Sequence, residues 1–170
     1  SNKNQHFVSD AGSSYYVTGQ ALDYNFGQRD ITSGAFATMG AAIPMAIGSS
    51  CYDKDAQIIV VTGDGSLELN IQELKTVSQN NLNIKIFVIN NGGYASIRES
   101  QDEYSDGRYT EAEDILDFSK VAEAFEMEYE IIEDYNTVDQ KIKKVTGNQN
   151  PTLIEVVCER DQTIFGPEVI

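Results

Sequence analysis

Thr62-Gly63-Asp64-Gly65-Ser66, followed further along by Asn90-Asn91, decides the fold of this chain. The first stretch follows the β-branched run 58–62, and the asparagine pair follows a second apolar run over 84–89. Continuous apolar runs without alternation are typical of parallel strands that are buried on both faces. A lone carboxylate and a pair of amides therefore come directly after two such strands.

Short apolar runs alternate with helical patterns along the rest of the chain. Further strands are predicted over 152–157 and, with weaker signals, over 129–132 and 15–18. Helices are predicted over 41–50, from Asn70 onward, over 118–125, and over 138–145 with a stop at Gly147. This alternation predicts a doubly wound α/β domain with a mostly parallel sheet and helices on both faces.

The helix after the first motif carries its own start signal. Asn70-Ile71-Gln72-Glu73 predicts a capping box, in which the Asn70 amide closes the helix start and Glu73 reaches back. Ile71, Leu74 and Val77 would then form the buried stripe of the helix.

Length and composition predict one soluble domain over 1–170. The net charge of −15 disfavours nucleic acid and anionic membranes as partners. No apolar run approaches the ~20 residues of a membrane helix, and the polar start lacks a signal-peptide pattern. Two cysteines do not form a disulfide framework. We therefore expect a cytoplasmic protein, with the acidic block 99–134 as a solvated face.

Residues 92–116 fit neither the helix nor the strand period. They are rich in glycine, serine and acidic residues, and we predict a long mobile loop at the active site. Loops of this length are uncommon in compact domains and are often functional.

Asp64 and Asn91 are predicted to meet at the carboxyl edge of the sheet, where ligands of such folds bind. Magnesium takes about six oxygens and keeps few protein ligands when phosphates supply the others. Gly63 and Gly65 allow close backbone approach, and the N–H groups of Gly65 and Ser66 with the Ser66 hydroxyl are predicted phosphate donors. Asp-Gly and Asn-Gly also occur in ordinary turns, but both motifs at two strand ends favour a magnesium-diphosphate site.

Other site types are disfavoured by the same sequence. The first motif lacks the third glycine of a dinucleotide fingerprint, and no Walker-type phosphate loop occurs. Asp53 and Asp55 suggest a calcium loop, but Ile58 stands where its glycine belongs. His6 is the only histidine and lies near a terminus that we expect to be frayed, which disfavours a histidine triad or zinc site.

The motifs resemble the diphosphate-binding domain of thiamine-diphosphate enzymes of the acetolactate synthase, pyruvate oxidase and pyruvate decarboxylase type. The resemblance runs from about Val17 to Val157. It implies thiamine diphosphate and Mg²⁺ as cofactors. The implied magnesium ligands are the Asp64 carboxylate, the Asn91 side chain and the Gly93 carbonyl.

An upstream segment, 32–44, resembles the pattern Ser-Gly-Gly-x-Gly-Thr-Met-Gly-x-x-x-Pro of that family. The resemblance implies that Met39 holds the cofactor bent and that the Ala37 carbonyl accepts its pyrimidine amino group. Gly19-Gln20 resembles a Gly-Gln-His segment near the diphosphate, with Ala21 in place of the histidine. The implied cofactor-binding residues are Gln20, Ala37, Thr38, Met39, Gly63, Gly65, Ser66, Tyr94 and Ala95.

The implied activity is that of an acetolactate-synthase-like 2-oxo acid decarboxylase or carboligase. In that family a glutamate on a separate pyrimidine-binding domain, usually from another subunit, starts the chemistry. No segment here resembles that domain, so no catalytic residue is assigned and the chain is expected to be inactive alone. We expect a carboxyl-terminal fragment of a longer enzyme, homodimeric or homotetrameric, acting on a small 2-oxo acid.

Two alternatives remain open at this point. The chain could be the small subunit of a split 2-oxo acid decarboxylase. It could also be a non-catalytic interaction module that binds a nucleotide or diphosphate. Ser100 stands where branched-chain acetolactate synthases place a tryptophan, and the segment 92–98 resembles synthase-like enzymes of sugar or surface-polysaccharide pathways.

Overall fold

A computed structural model describes residues 4–110 and 116–160 and contains one six-stranded, all-parallel sheet. The strands are β1 (Gln5–Ser9), β2 (Arg29–Ile31), β3 (Gln57–Gly63), β4 (Ile84–Asn90), β5 (Glu128–Ile132) and β6 (Thr152–Val157). They lie in the order β2-β1-β3-β4-β6-β5. The predicted doubly wound α/β fold is confirmed.

Helices connect the strands. They are α1 (Ser13–Ala21), α2 (Ala42–Tyr52), α3 (Asp64–Glu68), α4 (Glu73–Gln79), α5 (Ala95–Tyr104), α6 (Phe118–Ala124) and α7 (Val138–Thr146), with single 3₁₀ turns at Gly34–Phe36 and Tyr135–Thr137. In the described part of the chain, no helix is long and apolar enough to cross a membrane.

The sheet buries apolar side chains on both of its faces. Because successive strand residues point to opposite faces, Val88 and Leu153 pack with α2, α4 and α6, while Phe87 and Ile154 pack with α7. The continuous apolar runs of the sequence reflect this two-sided burial.

The strand order reverses between β1 and β3. From β1 the chain continues outward to β2, then crosses back to β3 and proceeds to β4 on the other side. Such a reversal opens a crevice at the carboxyl ends of the two strands, where open α/β sheets bind ligands. A ligand site is therefore expected beside the residues that follow β1 and β3.

Three local predictions were wrong. Residues 15–18 lie in α1 rather than in a strand, because the parallel crossover from β1 to β2 requires a connection that packs back on the sheet. Residues 5–9 form the internal strand β1, and His6 within it is only 3% exposed rather than frayed. Ala95–Tyr104 within the predicted loop 92–116 is the helix α5, and 111–115 lie outside the described residues.

The predicted capping box does not form either. The helix α4 begins at Glu73, and no side chain caps it. Successive turn bonds, including Glu73 N–H to the Asn70 carbonyl, already satisfy the backbone there. The Asn70 side chain instead donates to the Gly40 carbonyl at 2.8 Å. Leu74 and Val77 of the predicted stripe are buried, whereas Ile71 precedes the helix and is half-buried.

Lys85 is a fully buried cation within β4, at the amino edge of the sheet. Its Nζ donates to Asn148 Oδ1 at 2.8 Å, to the Asn150 carbonyl and to Thr152 Oγ1. Burial lowers the pKa of Lys85 to about 8, and the charge of Glu128 opposes that shift.

This pKa predicts a rise in stability at alkaline pH. Between about pH 8 and the ordinary lysine pKa of about 10.4, the unfolded chain binds a proton that the folded chain has released. The free energy of unfolding should therefore rise with pH by about 2–3 kcal/mol relative to Lys85→Met, which lacks the group. Urea titrations of both proteins across this range test it, and parallel pH profiles would contradict it.

Candidate functional site

A cleft of about 280 Å³ opens at the carboxyl edge of the sheet, between the ends of β1, β3 and β4. Ten of the predicted site residues line it, which are Ala37, Met39, Gly63, Asp64, Gly65, Ser66, Asn91, Gly93, Tyr94 and Ala95. Three separate sequence motifs are thereby brought to one place. The loop after β1 adds Gly12, Ser13 and Ser14 to the lining, and these residues were not predicted.

Asp64 stands first in α3, directly after β3, and is 1% exposed. Its Oδ1 accepts from the Gly65 N–H at 2.7 Å. Its Oδ2 accepts from the N–H groups of Asn91, at 3.1 Å, and Gly93, at 2.9 Å. Burial raises the pKa of Asp64, and the backbone N–H groups, that of Gly93 foremost, oppose the shift. The carboxylate thus joins the ends of β3 and β4.

Asn91 carries the clearest sign of a ligand. Its Oδ1 is buried and has no hydrogen-bond partner among the described residues. An unsatisfied buried oxygen costs roughly 1–3 kcal/mol, so its retention indicates a group that binds there. With the Asp64 carboxylate and the Gly93 carbonyl it forms an all-oxygen donor set in the lining of one cleft, which is the chemistry that Mg²⁺ prefers. The residues present therefore fit a magnesium ion.

The donor set is small, as a cation shared with phosphates requires. In residues 4–110 and 116–160, no group of three or more histidine, cysteine or carboxylate side chains is placed to hold a metal. Asp64 alone carries a carboxylate among the described residues of the lining. The arrangement disfavours a metal cage built from protein ligands only.

Gly65 leaves room for an aromatic ring. A Cβ on Gly65 would lie 2.4 Å from Cε1 of Tyr94, whereas a Cβ on Gly63 would meet nothing closer than Ser66 Oγ at 3.9 Å. Packing in this conformation therefore requires a glycine at position 65 but not at position 63. The Gly65 N–H is committed to Asp64, so one predicted phosphate donor is already used, which corrects that part of the sequence analysis.

The segment before α2 is held by a buried carboxylate that the sequence analysis missed. Asp10, 2% exposed after β1, accepts from the N–H groups of Gly40 at 2.9 Å and Ala42 at 3.2 Å, and from Thr62 Oγ1 at 3.1 Å. Gly40 has φ +78°, and a Cβ there would lie 2.9 Å from Leu69 Cβ. These contacts fix the backbone next to Met39.

Two predicted residues are not brought to the cleft. Gln20 is exposed near the end of α1 and is absent from the described lining. Thr38 is also exposed, and its N–H donates to Ser33 Oγ. Ala37, beside it, lines the cleft with a left-handed backbone at φ +44°.

The loop after β1 contributes residues to the cleft that were not predicted. Gly12, Ser13 and Ser14 line the cleft, with Gly12 at φ +69°. Opposite them, Ser96 contributes a second buried oxygen without a partner among the described residues. The available signal was Asp10-Ala11-Gly12, two residues after the apolar pair Phe7-Val8, but the terminus was expected to be frayed.

Comparison with known proteins agrees with this geometry. Residues 10–156 match the family described as thiamine pyrophosphate enzyme, C-terminal TPP binding domain. The chain belongs to this family. The matched range includes Asp10 and every motif that lines the cleft, and it begins directly after β1.

Individual relatives are acetolactate synthases. The chain is 28% identical over 164 residues to acetolactate synthase isozyme 1 large subunit of Escherichia coli (strain K12), covering 95% of this chain and 29% of that protein. It is 27% identical over 162 residues to acetolactate synthase of Arthrospira platensis, covering 94% and 28%. It is 35% identical over 122 residues to the large subunit of Buchnera aphidicola subsp. Schizaphis graminum (strain Sg), covering 71% and 21%. The chain thus spans less than a third of the length of these relatives.

The glycine cradle of this TPP-binding domain gives a testable contrast. Gly65→Ala should lower the free energy of unfolding by about 1–3 kcal/mol, because its Cβ displaces the Tyr94 ring. Gly63→Ala, at φ −82°, should stay within about 0.5 kcal/mol of wild type.

A double-mutant cycle with Tyr94→Ala, measured by urea unfolding, tests whether the contact with the Tyr94 ring causes this loss of stability. The cost of Gly65→Ala should disappear when the ring is absent. An equal cost in both backgrounds would show that the contact with Tyr94 does not set the requirement for glycine.

Proposed function

We propose that the chain binds Mg²⁺ and the diphosphate end of thiamine diphosphate, as the carboxyl-terminal domain of an acetolactate-synthase-like 2-oxo acid decarboxylase or carboligase. The observation that carries the proposal is the unpartnered, buried Asn91 Oδ1 in the lining that also contains Asp64 and Gly93. Family membership supports the cofactor, and the related acetolactate synthases support the reaction class.

We assign a role in holding the cofactor to six residues of the cleft. Asp64, Asn91 and the Gly93 carbonyl would hold the cation, and the Ser66 hydroxyl would donate to a phosphate oxygen. Met39 would pack against the cofactor, and the Ala37 carbonyl would accept a hydrogen bond from its amino group. When bound, thiamine diphosphate supplies an electron sink for loss of CO₂ from a 2-oxo acid.

The described cleft contains no free acid for proton transfer. Asp64 is its only carboxylate among the described residues, and that carboxylate accepts three backbone N–H groups. A general acid must reach the proton that it transfers, and we assign this role to a residue of another domain. The chain alone would therefore hold the cofactor without turning over substrate.

Apolar side chains at the rim support a covering domain. Tyr16 and Ile97 line the cleft and are 51% and 38% exposed, while Phe36, next to Ala37, is 90% exposed. Exposed apolar groups around a concave site are typical of interaction surfaces. We assign this rim to the pyrimidine-binding domain of a second subunit, in a homodimer or homotetramer.

Asp64→Asn tests the metal site with little change in shape. The variant retains one oxygen but loses the charge, and the affinity for thiamine diphosphate in MgCl₂ should fall by more than about 100-fold, beyond the range typical of outer-shell partners. Asp139→Asn, at an exposed position in the first turn of α7, is the matched control and should bind as wild type does.

Ligand-observed NMR on the cofactor measures its binding to both variants. The method also detects the weak binding expected of a domain that holds only one end of the cofactor. Circular dichroism confirms that each variant is folded. Equal cofactor signals from wild type and Asp64→Asn would show that the metal and diphosphate assignment is wrong.

A further inference from the structure

Arg98 is a buried cation directly behind the turn that carries the magnesium ligands. It lies in α5 and is 2% exposed. One guanidinium nitrogen donates to the Gly92 carbonyl at 2.9 Å, and another donates to the Asn91 carbonyl at 2.9 Å and to the Arg160 carbonyl. One planar side chain thus binds two successive carbonyls of the turn after β4, and it also binds the chain segment after β6.

The turn has little intrinsic rigidity. Gly92 and Gly93 have φ of +78° and +107°, a region that glycine enters freely and leaves as freely. A Cβ on Gly92 would lie 3.3 Å from Arg160 Cγ, and at φ +78° a residue with a side chain would be strained. The conformation of this turn must therefore be imposed by contacts from outside it.

Arg98 and Asp64 act on the same peptide group. The carbonyl of the Gly92–Gly93 peptide accepts from Arg98, and its N–H donates to Asp64 Oδ2 at 2.9 Å. A cation on one side and a carboxylate on the other polarise this peptide and fix its plane. Gly93, which supplies the carbonyl of the proposed donor set, is the residue whose N–H is held in this way.

We propose that Arg98 is a positioning residue for the cation site, acting through the carbonyls of Asn91 and Gly92. The inference rests on the proposed function, because it assigns a role toward that metal site. Arginine suits this role better than lysine, since its fork addresses two carbonyls at once. Without the Arg98 guanidinium, the turn would have to be ordered when the cation binds, and this cost would reduce the affinity.

The test compares Arg98→Met and Arg98→Lys with wild type by titrating the 170-residue chain with thiamine diphosphate, in MgCl₂ and separately in CaCl₂. Arg98→Met should lower the affinity in MgCl₂ by about 10–100-fold, the range typical of outer-shell partners. The affinity of Arg98→Lys should lie between those of wild type and Arg98→Met. The preference for Mg²⁺ over Ca²⁺ should weaken in both variants, because Ca²⁺ tolerates a looser geometry.

Lys85→Met is the matched control. It also removes a buried cation that donates to backbone and amide oxygens, but at the amino edge of the sheet. It should lose stability and keep both affinity and cation preference. Urea unfolding without metal gives the stability of each variant.

The outcomes separate the possibilities. Unchanged affinity and cation preference in folded Arg98→Met would overturn the inference and leave Arg98 a structural residue. Where Arg98→Met does not fold, Arg98→Lys decides, and wild-type cation preference in that variant would overturn it. Equal binding by wild type and Asp64→Asn would instead refute the proposed function, and the inference with it.

Discussion

The hydrogen bonds between the Asp64 carboxylate and backbone N–H groups are the interaction on which the site depends. They join the end of β3 to the turn after β4, two segments far apart in sequence and adjacent in the sheet. A buried carboxylate costs several kcal/mol unless it is paired or hydrogen-bonded. The hydrogen bonds that the carboxylate accepts therefore hold a glycine-rich loop in one conformation. The same loop places Asn91 in the lining of the cleft.

Asp10 repeats this arrangement at the neighbouring strand. Its carboxylate receives the N–H groups of Gly40 and Ala42, so the end of β1 determines the path of the chain around Met39. Thr62 donates to the same carboxylate from the end of β3. The two sides of the cleft are thus organised from adjacent strands at the switch point, and a shift of either strand would move both.

The sequence predicted those parts of the fold and site that rest on local patterns. The runs 58–62 and 84–89 are apolar because they are buried on both faces, and their parallel, adjacent pairing placed Asp64 beside Asn91. Residues 15–18 were predicted wrongly, because tyrosine and valine favour strands locally while the crossover between β1 and β2 requires a helix. Asn70 and Arg98 each bind a carbonyl that is far away in sequence, of Gly40 and Arg160 respectively, and no spacing rule encodes such a contact.

Charge explains why the cleft needs both a cation and ordered backbone groups. A chain with a net charge of −15 repels a diphosphate at long range. Affinity must then arise within a few ångströms, from a divalent ion and from donors that are already in position. Arg98 adds positive charge behind the turn without entering the cleft, because its guanidinium is committed to main-chain carbonyls. The cation and the ordering that we propose for Arg98 both act at short range, where they can offset this long-range repulsion.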